Sequence, residues 1–213
     1  MSGLFITFEG GEGVGKTLQT RLLGDFLTSC KKEVMMTREP GGTEISEKIR
    51  HILLTGDPEK TVPLTESLLY LAARSEHWNR KIKPALDAGK VVICDRFQDS
   101  SIVYQGFCKN VSISLMNLIF KEITSGKIPD RTYLIDLDPS IGISRSLSKK
   151  NNKETRFEKM DISYHKMVQE EFIRLAKTEP KRFLIIDGGL SILEIQEIIK
   201  NDIKKLFGQL TKY

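Results

Sequence analysis

Short apolar stretches alternate with longer amphipathic ones along the chain. The short stretches are bounded by Gly, Pro or Asp and lie at 4–8, 34–36, 91–94, 133–137 and 183–186. Apolar runs of this length predict buried strands. Between them, apolar residues recur at three-to-four-residue spacing, which predicts amphipathic helices, at 16–26, 44–54, 65–82, 112–123, 162–176 and 191–206. Strands that alternate with helices are typical of a doubly wound α/β fold with a parallel sheet.

One segment departs from this alternation. Residues 146–158, SLSKKNNKETRFE, are polar, basic and weakly periodic, and they are too many for a tight connection. We interpret them as a mobile lid, although a solvated surface loop would have a similar composition. No internal repeat or linker-like change in composition divides the chain, so we expect residues 1–213 to form a single domain.

Composition narrows the class of protein only in part. Hydrophobic residues make up 39% and charged residues 29%, as in ordinary globular proteins. The net charge of +5 suits phosphate ligands and equally suits a nucleic-acid surface. The cysteines have no CxxC spacing, and neither a signal peptide nor a membrane-spanning run is recognisable. We therefore expect a cytoplasmic protein with reduced thiols and no membrane contact.

The most specific motif directly follows the first predicted strand. GGEGVGKT matches GxxxxGK[ST] between a strand and a helix, which is the context in which this loop binds nucleotide phosphates. Its glycines turn backbone N–H groups toward phosphate oxygens, Lys16 brings charge to the β- and γ-phosphates, and Thr17 can ligate Mg²⁺. The predicted ATP-binding loop consists of Gly10, Gly11, Glu12, Gly13, Val14, Gly15, Lys16 and Thr17.

Three later clusters offer the chemistry of a second, acceptor site. They follow predicted strands or lie on the next helix, and their candidate residues are Arg38, Glu39, Arg50, Tyr70, Arg74, Asp95, Arg96, Ser100, Ser101, Tyr104 and Gln105. Each of these alone could be a solvated helix charge, a core aromatic residue or half of a structural ion pair. Together they supply what a nucleoside monophosphate needs: cations for the phosphate, an aromatic face for the base and neutral hydrogen-bonding groups for the base edge.

These motifs resemble those of the bacterial thymidylate kinases. FEGGEGVGKT, TREPGG, YLAAR, DRFxDSSxxYQG and TRFE occur in the same order and at similar separations across nearly the whole chain. The resemblance implies a P-loop kinase core with a five-stranded parallel sheet, a homodimer, and transfer of a phosphoryl group from ATP to dTMP with Mg²⁺ present.

The resemblance also implies roles for individual residues. Those expected to contact or neighbour dTMP are Glu12, Glu39, Arg50, Tyr70, Arg74, Arg96, Ser101 and Gln105. Tyr70 becomes the ring that stacks on the base, and Asp95 reaches Mg²⁺ through water. The sequence departs from the family pattern at Leu18, where many relatives have Thr or Ser, and at Thr155, where the usual residue is Asp.

Catalysis of phosphoryl transfer requires positive charge near the transferred group, and the P-loop contains no arginine. Arg156 and Arg145, in or near the lid, are the candidates, and the sequence leaves the choice between them open. Because the acceptor phosphate is already anionic near neutral pH, we expect no catalytic base. The predicted catalytic residues are Lys16, Asp95, Arg96 and Arg156, and Arg145 is a further predicted ATP contact.

The remaining candidates carry weaker signals. His51, His77 and His165 lack metal-binding spacing and are assigned no chemistry. The turn at 187–189 resembles the region that borders the donor adenine, but an ordinary strand-to-helix turn would have the same residues.

Proteins with other functions would share parts of this sequence pattern. A kinase for a deoxynucleoside or another monophosphate would share the P-loop, but a nucleoside kinase would have no use for arginines that converge on an acceptor phosphate. A GTPase would need NKxD, which the NKET at 152–155 does not supply. A nucleic-acid-binding ATPase would suit the charge, but the basic residues are scattered without interleaved aromatic residues, so we expect no nucleic-acid partner.

Overall fold

A five-stranded parallel sheet forms the centre of the protein. This computed structural model describes residues 3–57, 60–148 and 156–210. The strands are β1 (Phe5–Glu9), β2 (Val34–Arg38), β3 (Val91–Asp95), β4 (Arg131–Asp136) and β5 (Phe183–Asp187). They lie in the order β2-β3-β1-β4-β5, and every pair is parallel. The predicted strands and the predicted fold class are therefore confirmed.

Helices cover both faces of this sheet. They are α1 (Lys16–Ser29), α2 (Glu44–Leu54), α3 (Pro63–His77), α4 (Lys83–Asp87), α5 (Gln98–Ser101), α6 (Ile113–Thr124), α7 (Pro139–Leu147), α8 (Ile162–Thr178) and α9 (Ile192–Leu210). Two π-helical turns, Trp78–Ile82 and Ile102–Phe107, follow α3 and α5. The helix predicted at 65–82 thus begins two residues earlier than expected, and its last part is π-helical. Within the described ranges, no helix combines the length and hydropathy needed to cross a bilayer.

The side chains of β1 alternate between two apolar layers. Ile6 and Phe8 pack into the layer that includes residues of α1 and α9. Phe5 points to the opposite face, where its ring lies 4.9 Å from that of Phe97 and 6.0 Å from that of Trp78. Because the strand is buried on both faces, its residues before Glu9 are apolar except for Thr7, whose hydroxyl is hydrogen-bonded to that of Thr132. The P-loop therefore follows a strand that is immobilised from both sides.

Helix α7 was not predicted, and it changes the expected start of the lid. Asp138 caps it by accepting the Ser140 N–H at 2.8 Å, and Pro139 occupies its first turn. Ser146, which we had assigned to the polar segment, lies in this helix and donates to Glu158 at 2.7 Å. The middle of the predicted lid, 149–155, lies outside the described residues.

The P-loop and α7 meet at two glycines. A Cβ added to Gly142 would lie 2.3 Å from the carbonyl oxygen of Glu12, and one added to Gly13 would lie 1.8 Å from the carbonyl oxygen of Gly142. Gly13 also has a φ of 67°, which disfavours any residue with a side chain. Both obstructing atoms belong to the backbone, so no side-chain rotation can relieve the contact.

We expect Gly142→Ala to destabilise the protein by about 1–3 kcal/mol, because the added methyl overpacks a backbone contact. Gly208→Ala is the matched control, since Gly208 also lies in a helix but nothing lies within 4 Å of its added Cβ. That control should leave stability unchanged or raise it by up to about 1 kcal/mol through helix propensity. Urea unfolding of both variants measures the difference, and equal stabilisation by the two would contradict this account of the contact.

Candidate functional site

A cleft of about 810 Å³ opens at the carboxyl ends of the strands. Ligands bind at this edge in doubly wound folds, and the volume lies in the upper part of the roughly 300–1,000 Å³ range of small-molecule sites. The predicted residues that line it are Glu12, Gly13, Val14, Gly15, Lys16, Thr17, Arg38, Glu39, Arg50, Tyr70, Arg74, Asp95, Arg96, Ser100, Ser101, Tyr104, Gln105 and Arg145. Gly10 and Gly11 instead line a second cavity of about 20 Å³, behind the P-loop.

Helix α1 begins in the P-loop, and no described side chain caps its N-terminus. Gly15 precedes the helix with a φ of 103°, no side chain caps the first turn, and that turn contains no acidic residue. The first N–H groups of the helix are therefore left for an anion, which the helix dipole also favours. Lys16 lies beside them and donates from Nζ to the carbonyl oxygens of Gly10 (3.1 Å) and Gly11 (2.5 Å).

Lys16 has a pKa below that of an ordinary lysine. Burial, together with the positive charge of Arg96, lowers the pKa of Lys16 to about 8, and nearby carboxylates oppose this only in part. A phosphate group bound at the P-loop would favour the charged form of the lysine.

Arg96 joins the P-loop to the end of β3. Its Nη1 donates to the carbonyl oxygen of Gly10 at 2.9 Å and to Ser100 Oγ at 3.0 Å, and its Nη2 pairs with Glu12 at 2.9 Å. The backbone of Arg96 is left-handed, with a φ of 69°, which is uncommon outside glycine and asparagine and is typical of functional sites. Tyr104 also donates to Glu12, at 2.9 Å. Burial alone would raise the pKa of Glu12, but the charges of Arg96 and Lys16 outweigh it and lower the pKa to about 2.

The predicted magnesium residues lie together. The Thr17 hydroxyl donates to Asp95 Oδ2 at 2.5 Å, next to the P-loop lysine. No group of three or more His, Cys, Asp or Glu side chains with metal-binding geometry occurs among the described residues. A hydroxyl and one carboxylate fit Mg²⁺, which prefers oxygen ligands and keeps several waters or substrate phosphates in its shell.

Arg74 lies at the opposite end of the cleft, where it is held from three sides. Its Nε pairs with Glu39 at 2.6 Å, its Nη1 donates to Ser101 Oγ and its Nη2 donates to the Phe97 carbonyl oxygen, both at 3.0 Å. Each terminal nitrogen keeps one N–H, which can reach a ligand in the cleft. Burial would raise the pKa of Glu39, but the charge of Arg74 outweighs it and holds that pKa below its usual range.

His77 is a functional residue that sequence reasoning missed. Its ring is fully buried and bridges Glu39, at 3.0 Å from Nδ1, and Thr37, at 2.6 Å from Nε2. The imidazole does not line the cleft but holds the carboxylate that orients Arg74. Both oxygens of Glu39 are thus engaged by protein groups, although the resemblance places this residue among the neighbours of dTMP.

The other acceptor candidates lie around Arg74. The ring of Tyr70 lines the cleft one helical turn earlier. Arg50 donates to the Pro40 carbonyl oxygen at 2.7 Å, and the half-exposed Arg38 pairs with Glu47 at 2.9 Å. Both of these arginines line the cleft, and the half-exposed Arg38 can rearrange around a phosphate at lower cost than the buried Arg74.

The structure does not bring Arg156 into the cleft. Its guanidinium is 2% exposed and pairs with Glu66 at 2.6 Å, and it also donates to the carbonyl oxygen of Leu53 at 2.9 Å. The buried carboxylate of Glu66 holds this arginine outside the cleft, whereas the sequence predicted it near the transferred phosphoryl group. Arg145, by contrast, is exposed at the end of α7 and lines the cleft, and its side chain makes no hydrogen bond or ion pair with a described residue.

Two buried carboxylates also escaped sequence reasoning. Glu66 accepts hydrogen bonds from Gln105 and Lys109, in addition to its pair with Arg156. Glu9, the last residue of β1, accepts from the Phe97 N–H at 2.8 Å and the Ser100 hydroxyl at 2.6 Å. Glu9 is a charged residue at the end of a buried strand, and Glu66 is a charged residue at an inward helix position. The available signal was therefore the charge itself.

Known proteins share this architecture and these motifs. The family model described as thymidylate kinase matches residues 8–199. Thymidylate kinases from Pelobacter propionicus and Bartonella quintana are 44% and 43% identical to the chain, over 92% and 94% of its length and 92% and 95% of theirs. The crystal structure of thymidylate kinase from Ehrlichia chaffeensis is 32% identical, aligns with 96% of this chain and 99% of that one, and has a TM-score of 0.77. The chain therefore belongs to the thymidylate kinase family.

Proposed function

We propose that this protein transfers the γ-phosphate of ATP to dTMP, producing dTDP for the synthesis of dTTP. The position of Arg96 carries the proposal. It is bonded to the P-loop at the Gly10 carbonyl and lines the same cleft as Tyr70 and Arg74. An acceptor whose base lies near Tyr70 and whose phosphate contacts Arg96 would therefore present that phosphate to the nucleotide at Lys16. In-line transfer between two such phosphates needs positioning and charge compensation rather than a base.

The two ends of the cleft bind different substrates. The N-terminus of α1 and Lys16 bind the donor phosphates, while Arg96, with Arg38 and Arg50 nearby, binds the acceptor phosphate. The base stacks on Tyr70 and is read by polar groups at the far end, Arg74, Ser101 and Gln105. Thr17 and Asp95 would hold Mg²⁺, and the ion would supply positive charge to the donor phosphates.

We assign the transition-state cation to Arg145 rather than to Arg156. Arg145 lines the cleft beside the P-loop without a protein partner in the described part of the chain, so no ion pair must break before it reaches a phosphate. Arg156 would have to leave the buried carboxylate of Glu66, and an uncompensated buried charge costs about 3–5 kcal/mol.

We further propose a cytoplasmic homodimer whose protomers are each one domain of residues 1–213. Helices α2, α3 and α6 pack side by side and carry exposed apolar residues: Ile45, Ile52, Leu64, Leu68, Leu115 and Leu118. A surface of this kind suits a self-complementary interface. The cysteines are all unpaired, as is usual in a reducing compartment.

The acceptor preference tests the proposed function. With ATP and Mg²⁺, we expect dTMP to be the best acceptor, dUMP to be several-fold worse because it lacks a methyl group worth about 1 kcal/mol, and dCMP to be worse again. Cytosine places an amino donor against Arg74, a mismatch of about 2 kcal/mol or more. Values of kcat/KM for these nucleotides, dGMP and thymidine provide the measurement. Thymidine turnover, or equal use of dCMP and dTMP, would reject the assignment.

The lowered pKa of Lys16 predicts an unusual pH profile. Above about pH 8 the free enzyme loses the lysine charge that binds the donor phosphates, so kcat/KM for ATP should decline as pH rises through that value. An ordinary lysine, with a pKa near 10.4, would keep the profile flat over this range. Lys16→Arg is the control, because arginine stays charged and its residual activity should show no such decline. A flat wild-type profile up to pH 9.5 would exclude Lys16 as the titrating group.

Arg145→Ala should lower kcat by about 100-fold or more and leave the KM for dTMP nearly unchanged, because the contact is made mainly in the transition state. Arg21→Ala, which removes an exposed arginine of α1 that does not line the cleft, should have no effect. Steady-state kinetics of the two variants distinguish the cases. Normal turnover by Arg145→Ala would return the role to Arg156 and require the Glu66 pair to open during the reaction.

A further inference from the structure

Glu66 is a fully buried carboxylate that lies behind the wall of the cleft and does not line it. Its Oε1 accepts from Gln105 Nε2 at 3.0 Å and from Lys109 Nζ at 2.8 Å. Its Oε2 accepts from Lys109 at 2.8 Å and pairs with Arg156 Nη2 at 2.6 Å. One carboxylate thus joins α3, the end of the second π-helical turn and Arg156, which lies within the predicted lid.

The carboxylate is ionised at neutral pH. Burial would raise the pKa of Glu66, but hydrogen bonds and charge from Lys109, with the charge of Arg156, outweigh it and hold the pKa below its usual range. An ionised carboxylate only accepts hydrogen bonds. Every group that faces it must therefore present a donor.

This requirement fixes the amide of Gln105. The Nε2 group has to face Glu66, because a flipped amide would place its carbonyl oxygen against the carboxylate. The carbonyl Oε1 of Gln105 consequently points elsewhere, and it has no hydrogen-bond partner among the residues that the structure describes. Gln105 lines the cleft at the end that holds Tyr70 and Arg74. The cleft thus receives an acceptor, not a donor, from this amide.

An oriented acceptor distinguishes the two pyrimidines. Thymine carries a hydrogen on N3 and can donate to the Gln105 carbonyl, whereas N3 of cytosine is an acceptor and would face it with two lone pairs opposed. Mismatched polar groups of this kind, held away from water, discriminate far more strongly than a lost methyl contact.

We propose that Glu66 is a specificity-determining positioning residue, which selects thymine over cytosine by holding the Gln105 carbonyl toward the acceptor base. The inference rests on the proposed function, since it assumes a pyrimidine monophosphate in this end of the cleft. Glu66 itself touches no substrate and acts through the amide that it orients.

Glu66→Gln tests this role with nearly the same shape. The cations Lys109 and Arg156 should draw the carbonyl of the new amide to themselves, which turns its NH₂ toward Gln105. The Gln105 amide must then flip and present NH₂ to the cleft. We expect the ratio of kcat/KM for dTMP to that for dCMP to fall by at least about tenfold. A purely structural role would lower both values together and leave the ratio unchanged.

Two further variants control the interpretation. Lys109→Met removes another partner of the same carboxylate but keeps Glu66 and Gln105, so the ratio should stay close to that of the wild type. Gln105→Leu removes the amide and should lower the ratio even if Glu66→Gln proves too unstable to purify. In the double variant, Glu66→Gln should have no additional effect on the ratio, because the amide through which it acts is absent.

The outcomes separate this inference from the proposed function. A wild-type protein that does not phosphorylate dTMP would reject the function itself. A wild type that prefers dTMP, combined with an unchanged ratio in Glu66→Gln or Gln105→Leu, would overturn the inference alone. A change in the ratio that persists in the Gln105→Leu background would show that Glu66 acts by another route and would also overturn it.

Discussion

Ion pairs between carboxylates and arginines join the walls around the cleft. The pairs are Glu12 with Arg96, Glu39 with Arg74, Glu66 with Arg156, and Asp99 with Arg182. In every pair the two partners come from different elements, so each one closes a contact over a long sequence separation. In the three pairs other than Glu12 with Arg96, both side chains are buried, and removing one partner would leave a buried charge uncompensated, at a cost of about 3–5 kcal/mol. The arginines are therefore held in place by the carboxylates before any ligand arrives, and electrostatic catalysis depends on preorganisation of this kind.

Glu9 is a buried carboxylate that forms no ion pair with a cation in the described part of the chain. Its neighbour Asp99 is already bound by both terminal nitrogens of Arg182, so that arginine does not serve Glu9. Burial and the charge of Asp99 raise the pKa of Glu9 to about 7, whereas Arg96 and Lys16 lower that of Glu12 to about 2. For Glu9 the folded state favours the protonated acid, so its contribution to stability is present at low pH and is lost as pH rises through about 7. The donors that face it, from Phe97 and Ser100, moderate this effect and at the same time fix the turn that holds Arg96.

The sequence predicted the features that depend on local pattern. The strands, most helices and the P-loop were recognisable because apolar runs, helical spacing and glycines act within a few residues of each other. The pairing of Arg156 with Glu66 was not predicted, because Glu66 lies 90 residues earlier in the chain and nothing local marks the pair. Helix α7 was missed because it is short and its close approach to the P-loop depends on Gly142, a residue that weakens a helical pattern. The residues that line the cleft were thus predictable, whereas the buried charges that orient them were not.

Under the proposed function, base selection in this cleft depends on a carboxylate that does not line it, Glu66. Gln105 is held by Glu66, which lies behind the wall, and Arg74 is held by Glu39, which lines the cleft. An amide can present either a donor or an acceptor, and the charge of Glu66 decides which group Gln105 presents. A substitution of Gln105 removes a contact with the base. A substitution of Glu66 instead reverses the polarity of the group that Gln105 presents, without changing the residues that line the cleft. Because the same carboxylates also neutralise buried cations, any change of acceptor preference by that route alters stability as well. A variant that prefers a different acceptor base would then also need compensating substitutions at the cations, such as Lys109.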